Sequence, residues 1–261
     1  MHAQVNGIQM AYTDEGAGST LLLVHGFPLD RQVWSPQVAA FRRDYRVIAP
    51  DLRGMGESWG TADPVTMDRY AEDLQALMTH LNAGPVILAG HSMGGYVALA
   101  FAKAFPQSLT GLVLVGTKAG ADTPEAAAAR RASAARVRAE GSAVVVDAMA
   151  AKMLSPGNTD AGMAAEVRGF MTSSGPDGII AALLGMAERP DAGAWLGQIQ
   201  APTLVLAGAD DAIMPPGEAE ALAKAIPGAQ LKVLPEAGHL LAFEQAEAFN
   251  EALRTWFRTC I

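Results

Sequence analysis

A single cysteine, Cys260, stands among 261 residues. No intrachain disulfide can form, so stability must come from burial and not from cross-links. A lone thiol suits a reducing compartment, and a cytoplasmic location is the expectation. Charged residues are also scarce, at 18%, and mean hydropathy is +0.17. That balance excludes a disordered, solvated chain. Lysine and arginine total 19 against 27 aspartates and glutamates, a net charge of −8. An acidic chain argues against nucleic acid or an anionic membrane as partner and disfavours polyanionic substrates. No apolar run approaches the ~18–20 residues of a membrane span. Residues 1–6 show no basic start leading into an apolar stretch, so no leader is read there.

Several chemistries are missing as well. There is no H-E-x-x-H, no Cys/His cluster with zinc spacing and no G-x-x-x-x-G-K-[ST] phosphate loop. Gly54-Met55-Gly56 lacks the third glycine and the acid of a dinucleotide site. The expectation is a chain that needs no metal and no cofactor.

What is present is a rhythm of buried strands and helices. Asn6-Gly7 reads as a tight turn between strands at about 3–6 and 8–13. Apolar runs at 20–24, 45–49, 85–89 and 112–115 read as strands buried on both faces. Between them, helical spacing over 66–82 aligns Tyr70, Leu74, Leu77, Met78 and Leu81, and a helix at 96–105 stops at Pro106. The texture changes near 118. Residues 121–152 are rich in Ala and Arg and read as helical throughout, and 155–195 mix turn residues with short helical pieces. The rhythm resumes with a strand at 203–207, a helix at 217–226, a strand at 230–234 and a helix at 243–258. This order predicts an α/β fold, a mostly parallel, doubly wound sheet covered on both faces. Residues 1–117 and 197–261 form the predicted core, and 118–196 an inserted helical cap.

Gly90-His91-Ser92-Met93-Gly94 follows the strand at 85–89 and reads as G-x-S-x-G at a strand-to-helix turn. A serine on so sharp a bend has its hydroxyl pushed outward, and flanking glycines remove side chains that would clash. Serine needs a base, and the base needs an orienting acid. Of five histidines, His2 is terminal and His80 lies late in an amphipathic helix. His25 and His91 sit in tight turns, where shaping the turn is their expected role. His239, in Gly238-His239-Leu240 just after the last predicted strand, is the candidate base. Asp210 and Asp211 follow the strand at 203–207 and offer the acid; one of two adjacent loop acids is usually a turn residue. In a parallel sheet these loops gather along one edge. Their order along the chain is Ser, Asp, His, as this type of elbow requires. Two N–H donors for an oxyanion are expected from Met93, immediately after the nucleophile, and from Phe27, in the loop after the strand at 20–24.

These residues resemble the α/β-hydrolase superfamily over nearly all of the chain outside the cap. His25-Gly26-Phe27-Pro28 is similar to its oxyanion loop, and Asp51-Leu52-Arg53-Gly54-Met55-Gly56-Glu57-Ser58 to its chiefly structural D-x-R-G-x-G-x-S segment. Gly208-x-x-Asp211-x-x-x-Pro215 resembles its acid loop, and that register picks Asp211 over Asp210. Haloalkane dehalogenases and epoxide hydrolases place Asp where this chain has Ser92. The resemblance is therefore to the carboxylesterase, enol-lactonase, perhydrolase and C–C hydrolase branch. Lys152-Met153-Leu154-Ser155-Pro156 is similar to enol-lactonase-like members. The resemblance implies a hydrolase of carboxylic esters acting through an acyl-enzyme on Ser92. A lactonase or C–C bond hydrolase is the alternative within enzymes. A triad-retaining small-molecule receptor with negligible turnover is the alternative outside them. Expected lining residues of the substrate pocket are Leu29, Trp34, Met149, Met153, Met186, Trp195, Ile213 and Leu240, an apolar set that suits small to medium acyl or aryl esters. The expected partners are such an ester and water, with the chain a monomer or homodimer.

Overall fold

The computed structural model describes residues 1–59 and 64–261. Its centre is an eight-stranded sheet. The strands are β1 (His2–Val5), β2 (Ile8–Glu15), β3 (Thr20–Val24), β4 (Arg46–Pro50), β5 (Val86–His91), β6 (Leu109–Val115), β7 (Thr203–Gly208) and β8 (Gln230–Leu234). Their spatial order is β1-β2-β4-β3-β5-β6-β7-β8. The pairs β1–β2 and β2–β4 are antiparallel, and all others are parallel. The Asn6-Gly7 turn joins β1 to β2 with both residues at positive φ, 47° and 79°, as a two-residue hairpin favours.

β3, β5 and β7 are buried at every position. Strands of this kind must be covered on both faces, which is why their sequences read as continuous apolar runs. One face is covered by α2 (Met67–His80) and α3 (Met93–Ala104). The other is covered by α1 (Ser35–Phe41) and α10 (Ala246–Cys260). α10 buries Phe249, Leu253, Trp256 and Phe257, the i, i+4, i+7, i+8 stripe of an amphipathic helix.

Between β6 and β7 run α4 (Pro124–Glu140), α5 (Ala143–Met149), α6 (Ala161–Thr172) and α7 (Pro176–Ala187). α4 starts at Thr123, whose Oγ1 accepts from Ala126 N at 3.2 Å, and at Pro124 in the first turn. The continuous helix expected over 121–152 is in fact broken at Gly141, which adopts φ +89° after the last turn of α4. Only glycine takes that conformation cheaply. The C-terminal helix is likewise divided, into α9 (Leu241–Glu244) and α10, and the helix expected from 96 begins three residues earlier, directly after Ser92. α8 (Pro216–Ala225) joins β7 to β8.

Candidate active site

Ser92 is the pivot between β5 and α3. Its backbone stands at φ 53°, ψ −115°, a conformation that costs a non-glycine residue roughly 1–3 kcal/mol and persists only where surroundings hold it. They do so here on both sides. Ser92 N donates to Val115 O of β6 at 2.8 Å, and Thr117 Oγ1 donates to Ser92 O at 2.8 Å. The flanking glycines make the bend possible. A Cβ on Gly90 would overlap the Gly94 carbonyl, and one on Gly94 would overlap the carbonyl oxygens of Val24 and His25.

The three loops expected to meet at one sheet edge do meet. Ser92 Oγ lies 2.9 Å from His239 Nε2, and His239 Nδ1 lies 2.8 Å from Asp211 Oδ2. His239 is fully buried, and Asp211 is 4% and Ser92 8% exposed. The carboxylate can only accept, so Nδ1 carries the proton and Nε2 is left to accept from the serine hydroxyl. Asp211 is itself fixed: its Oδ1 accepts from the backbone N–H groups of Ile213 and Met214, each at 2.8 Å. Asp210 points elsewhere and accepts from Ser155 Oγ at 2.7 Å. This chain of hydrogen bonds can draw a proton from Ser92 as its oxygen attacks an electrophile, and Asp211 can stabilise the imidazolium that results.

Met93 opens α3, so its N–H is among those a helix leaves without an internal acceptor. Phe27 lies beside Gly26, where the loop after β3 passes so near the elbow that a Cβ would come within 2.8 Å of His91 Nδ1 and 2.9 Å of Ser92 Cβ. Both residues sit in the core on the α2–α3 side.

His25 and His91 shape the turns around the site. His25 Nε2 accepts from Leu52 N at 2.9 Å, and its Nδ1 donates to Gly26 O at 2.9 Å. His91 donates from Nε2 to His239 O at 2.9 Å, and its ring centroid is 4.7 Å from that of His239. Burial lowers the pKa of both. For His91 the shift is large, and the neighbouring His239 adds to it. The Asp51–Ser58 segment is scaffolding. Asp51 accepts from Arg31 N at 2.7 Å and Glu57 N at 2.8 Å and pairs with the Arg31 guanidinium. Arg53 forms a two-pronged pair with the fully buried Asp73 at 2.7 and 2.5 Å.

The expected lining residues are scattered. Trp34 packs on Phe249 with centroids 6.1 Å apart and belongs, with Leu29, Met153 and Leu240, to the core on the α1–α10 side. Met186 belongs to the opposite core. Met149 and Ile213 contact both cores. Trp195 packs against the core on the α2–α3 side and lines a groove shared with Lys103 of α3 and Gln198.

Sequence reasoning missed Glu244. Its carboxylate accepts from Gly238 N at 2.6 Å, from Ser155 N at 2.9 and 3.1 Å, and from Asn158 Nδ2 at 2.8 Å. It thereby ties the residue before His239 to the strap at 153–158 of the β6–β7 connection. Leu240 N donates to Met153 O at 2.8 Å beside it. The only signal in the sequence is an acid five residues past the histidine, and two of its three partners, Ser155 and Asn158, lie 89 and 86 residues away.

A family model for the alpha/beta hydrolase family matches residues 21–252. The chain belongs to that family. Within it the chain falls with the esterase and enol-lactonase-like hydrolases. It is 43% identical to a thermophilic esterase from Thermogutta terrifontis, solved with malate bound. That match has a TM-score of 0.96 and covers 100% of this chain and 98% of that one. An enol-lactonase from Burkholderia xenovorans LB400 is 27% identical with a TM-score of 0.90, over 99% and 100% of the two chains. Among curated relatives, the dihydrolipoyllysine-residue acetyltransferase component of the acetoin cleaving system of Pseudomonas putida is 33% identical over 263 residues, 98% of this chain and 68% of that protein. No helix among the described residues of this alpha/beta hydrolase is long and apolar enough to cross a membrane. No group of three or more His, Cys, Asp or Glu among them could hold a metal ion.

Proposed function

We propose that this hydrolase cleaves carboxylic esters with Ser92 as nucleophile, His239 as general base and acid, and Asp211 as the group that orients His239. The observation that carries the reading is the continuous Ser92–His239–Asp211 hydrogen-bond chain, 2.9 and 2.8 Å, on a strained elbow. His239 takes the hydroxyl proton as Ser92 Oγ attacks the ester carbonyl. The tetrahedral oxyanion is held by the N–H groups of Met93 and Phe27, each such donor typically worth about 2.7–4 kcal/mol in the transition state. His239 then protonates the departing alcohol. It next activates water, which cleaves the acyl-enzyme and frees the acid and Ser92. The substrates are small to medium acyl or aryl esters, consistent with the 43% identity to an esterase.

Ring opening of a lactone is the same chemistry on a cyclic ester. The similarity to an enol-lactonase over the whole chain supports it as a second reading. Turnover of p-nitrophenyl acetate and butyrate by wild type and Ser92→Ala tests the nucleophile. Loss of turnover in the variant is expected, and undiminished turnover would sink the proposal. Comparison of phenyl acetate with an enol-lactone separates the two readings by the ratio of their kcat/KM values.

A further inference from the structure

α4 and α5 wall a cleft of about 220 Å³ that also reaches Phe27, Met149 and Leu183. Its polar lining is Arg130, Ser133 and Arg136, spaced by three residues along α4, and no carboxylate lines it. Phe27, whose N–H is assigned above to the oxyanion, is also part of this lining, so the cleft and the proposed reacting centre share that residue.

The charge in the cleft runs opposite to that of the whole chain. α4 holds Arg130, Arg131, Arg136 and Arg138 against Glu125 and Glu140, within a chain of net charge −8. Arg130 is anchored to Asp122 through Nε and, at 3.5 Å, through Nη2, which leaves Nη1 and the second hydrogen of Nη2 for another acceptor. That one carboxylate also faces Arg189 Nη2 at 3.6 Å and Lys118 Nζ at 4.0 Å, so three cations share it and positive charge is in excess. Arg130 Nη1 finds only the Met186 sulfur, at 3.4 Å, a weak and neutral acceptor. Arg136 pairs with Glu140 at 3.3 Å, with both side chains more than half exposed, and such a pair is weak and screened. The rest of the lining is apolar, and a guanidinium fork in such a wall recognises a planar carboxylate by two parallel hydrogen bonds.

Building on the ester-hydrolase reading, we infer that this cleft selects esters carrying a carboxylate a few bonds from the scissile carbonyl, such as half-esters of short dicarboxylic acids. Arg130, held in place by Asp122, is the partner of that carboxylate. Arg136, at the same wall and more exposed, draws the anion in. The alanine, valine and leucine side chains of the cleft hold the methylene chain between the two ends. A single carboxylate agrees with the acidic surface, which repels polyanions at long range while the cleft attracts one charge at short range.

The experiment compares monomethyl glutarate with methyl valerate, esters of equal acyl length with and without the charge. Hydrolysis is followed by pH-stat at low ionic strength. In wild type the kcat/KM ratio, charged over neutral, is expected to exceed one by about ten- to a hundredfold, the worth of charge-assisted hydrogen bonds. The ratio falls toward one in Arg130→Gln, falls less in Arg136→Gln, and shrinks with added salt. Should Arg130→Gln fail to fold around Asp122, Arg130→Lys keeps the charge beside Asp122 but removes the fork, and Arg136→Gln tests the exposed member alone. A wild-type ratio at or below one, or a ratio untouched in these variants, overturns the inference. If neither ester is turned over, it is the ester-hydrolase reading that fails. Calorimetric titration with glutarate then decides the cleft: binding weakened by Arg130→Lys and Arg136→Gln supports it, and no binding overturns it.

Discussion

The Nε2–H of His91 donates to the backbone carbonyl of His239, 2.9 Å away. The residue before the proposed nucleophile thus supports the proposed base through its main chain. A carbonyl only accepts, so His91 must keep its proton on Nε2 and stay neutral at Nδ1. Nδ1 is buried without a partner, so protonating it would place an unsolvated charge beside His239.

This neutrality has a consequence for stability in acid. Burial depresses the folded-state pKa of His91 well below the ordinary value and also depresses that of His25. In the unfolded chain each takes up a proton near ~6.5. The unfolded state therefore binds more protons below that pH, so stability is complete above it and is lost as pH falls. Each residue contributes a slope of up to about 1.4 kcal/mol per pH unit. Urea unfolding between pH 7.5 and 5 should show the decline. His91→Gln keeps an N–H donor but cannot titrate, and it should lower the slope by about one proton. An equal slope in the variant would refute the assignment.

Ser92 holds φ 53° and ψ −115°, a region that glycine occupies at little cost. Ser92→Gly is expected to unfold at higher denaturant than Ser92→Ala, by about 1 kcal/mol or more, because only glycine relieves the strain. Both variants should be inactive on p-nitrophenyl butyrate. Equal stabilities would show that the elbow stores no strain.

The two adjacent acids should separate by activity. Asp211→Asn leaves the shape of the loop but no longer fixes the Nδ1–H tautomer of His239, and kcat should fall by about 10⁴. Asp210→Asn disturbs only the hydrogen bond from Ser155 Oγ, and kcat should change by less than tenfold. Steady-state kinetics on one ester decide between them.

Glu244→Ala leaves the N–H groups of Gly238 and Ser155 and the amide of Asn158 without their acceptor. Unmet buried donors cost about 1–3 kcal/mol each. The variant should unfold at lower urea, and its kcat should fall more than its KM rises, because the loop displaced is the one that holds His239. A loss confined to KM would argue that the contact serves only the strap.

Much of this arrangement is legible in the sequence because it rests on local rules. Asn6-Gly7 dictates a hairpin, the all-apolar runs dictate buried parallel strands, and glycines bracket Ser92 because side chains would collide there. His239 and an acid at 210 or 211 follow from chain order at one sheet edge, and the family resemblance in register picks Asp211. The lining of the pocket is not legible in the same way. Trp34, Leu29 and Met153 are apolar residues in loops or short helices, and nothing local separates packing on Phe249 from facing a substrate. The break at Gly141 is a glycine signal that the Ala- and Arg-rich composition around it masked. Glu244 escaped because two of its three partners, Ser155 and Asn158, come from a chain segment remote from it, and long-range pairing of this kind leaves no spacing to read.

β6 and β7 lie side by side in the sheet although α4 to α7 intervene between them. Closing a longer chain between two fixed ends costs little extra entropy, because the cost grows only with the logarithm of length. The connection can therefore lengthen, shorten or be exchanged while the strands keep their register. Some stretches are not free in this way: the strap at 153–158 must still present its N–H groups to Glu244, and α7 is tied to the core where Ala181 O accepts from Val65 N. Variation in what the enzyme accepts can thus accumulate on either side of that strap, in α4 and α5 before it and α6 after it, without altering the reaction.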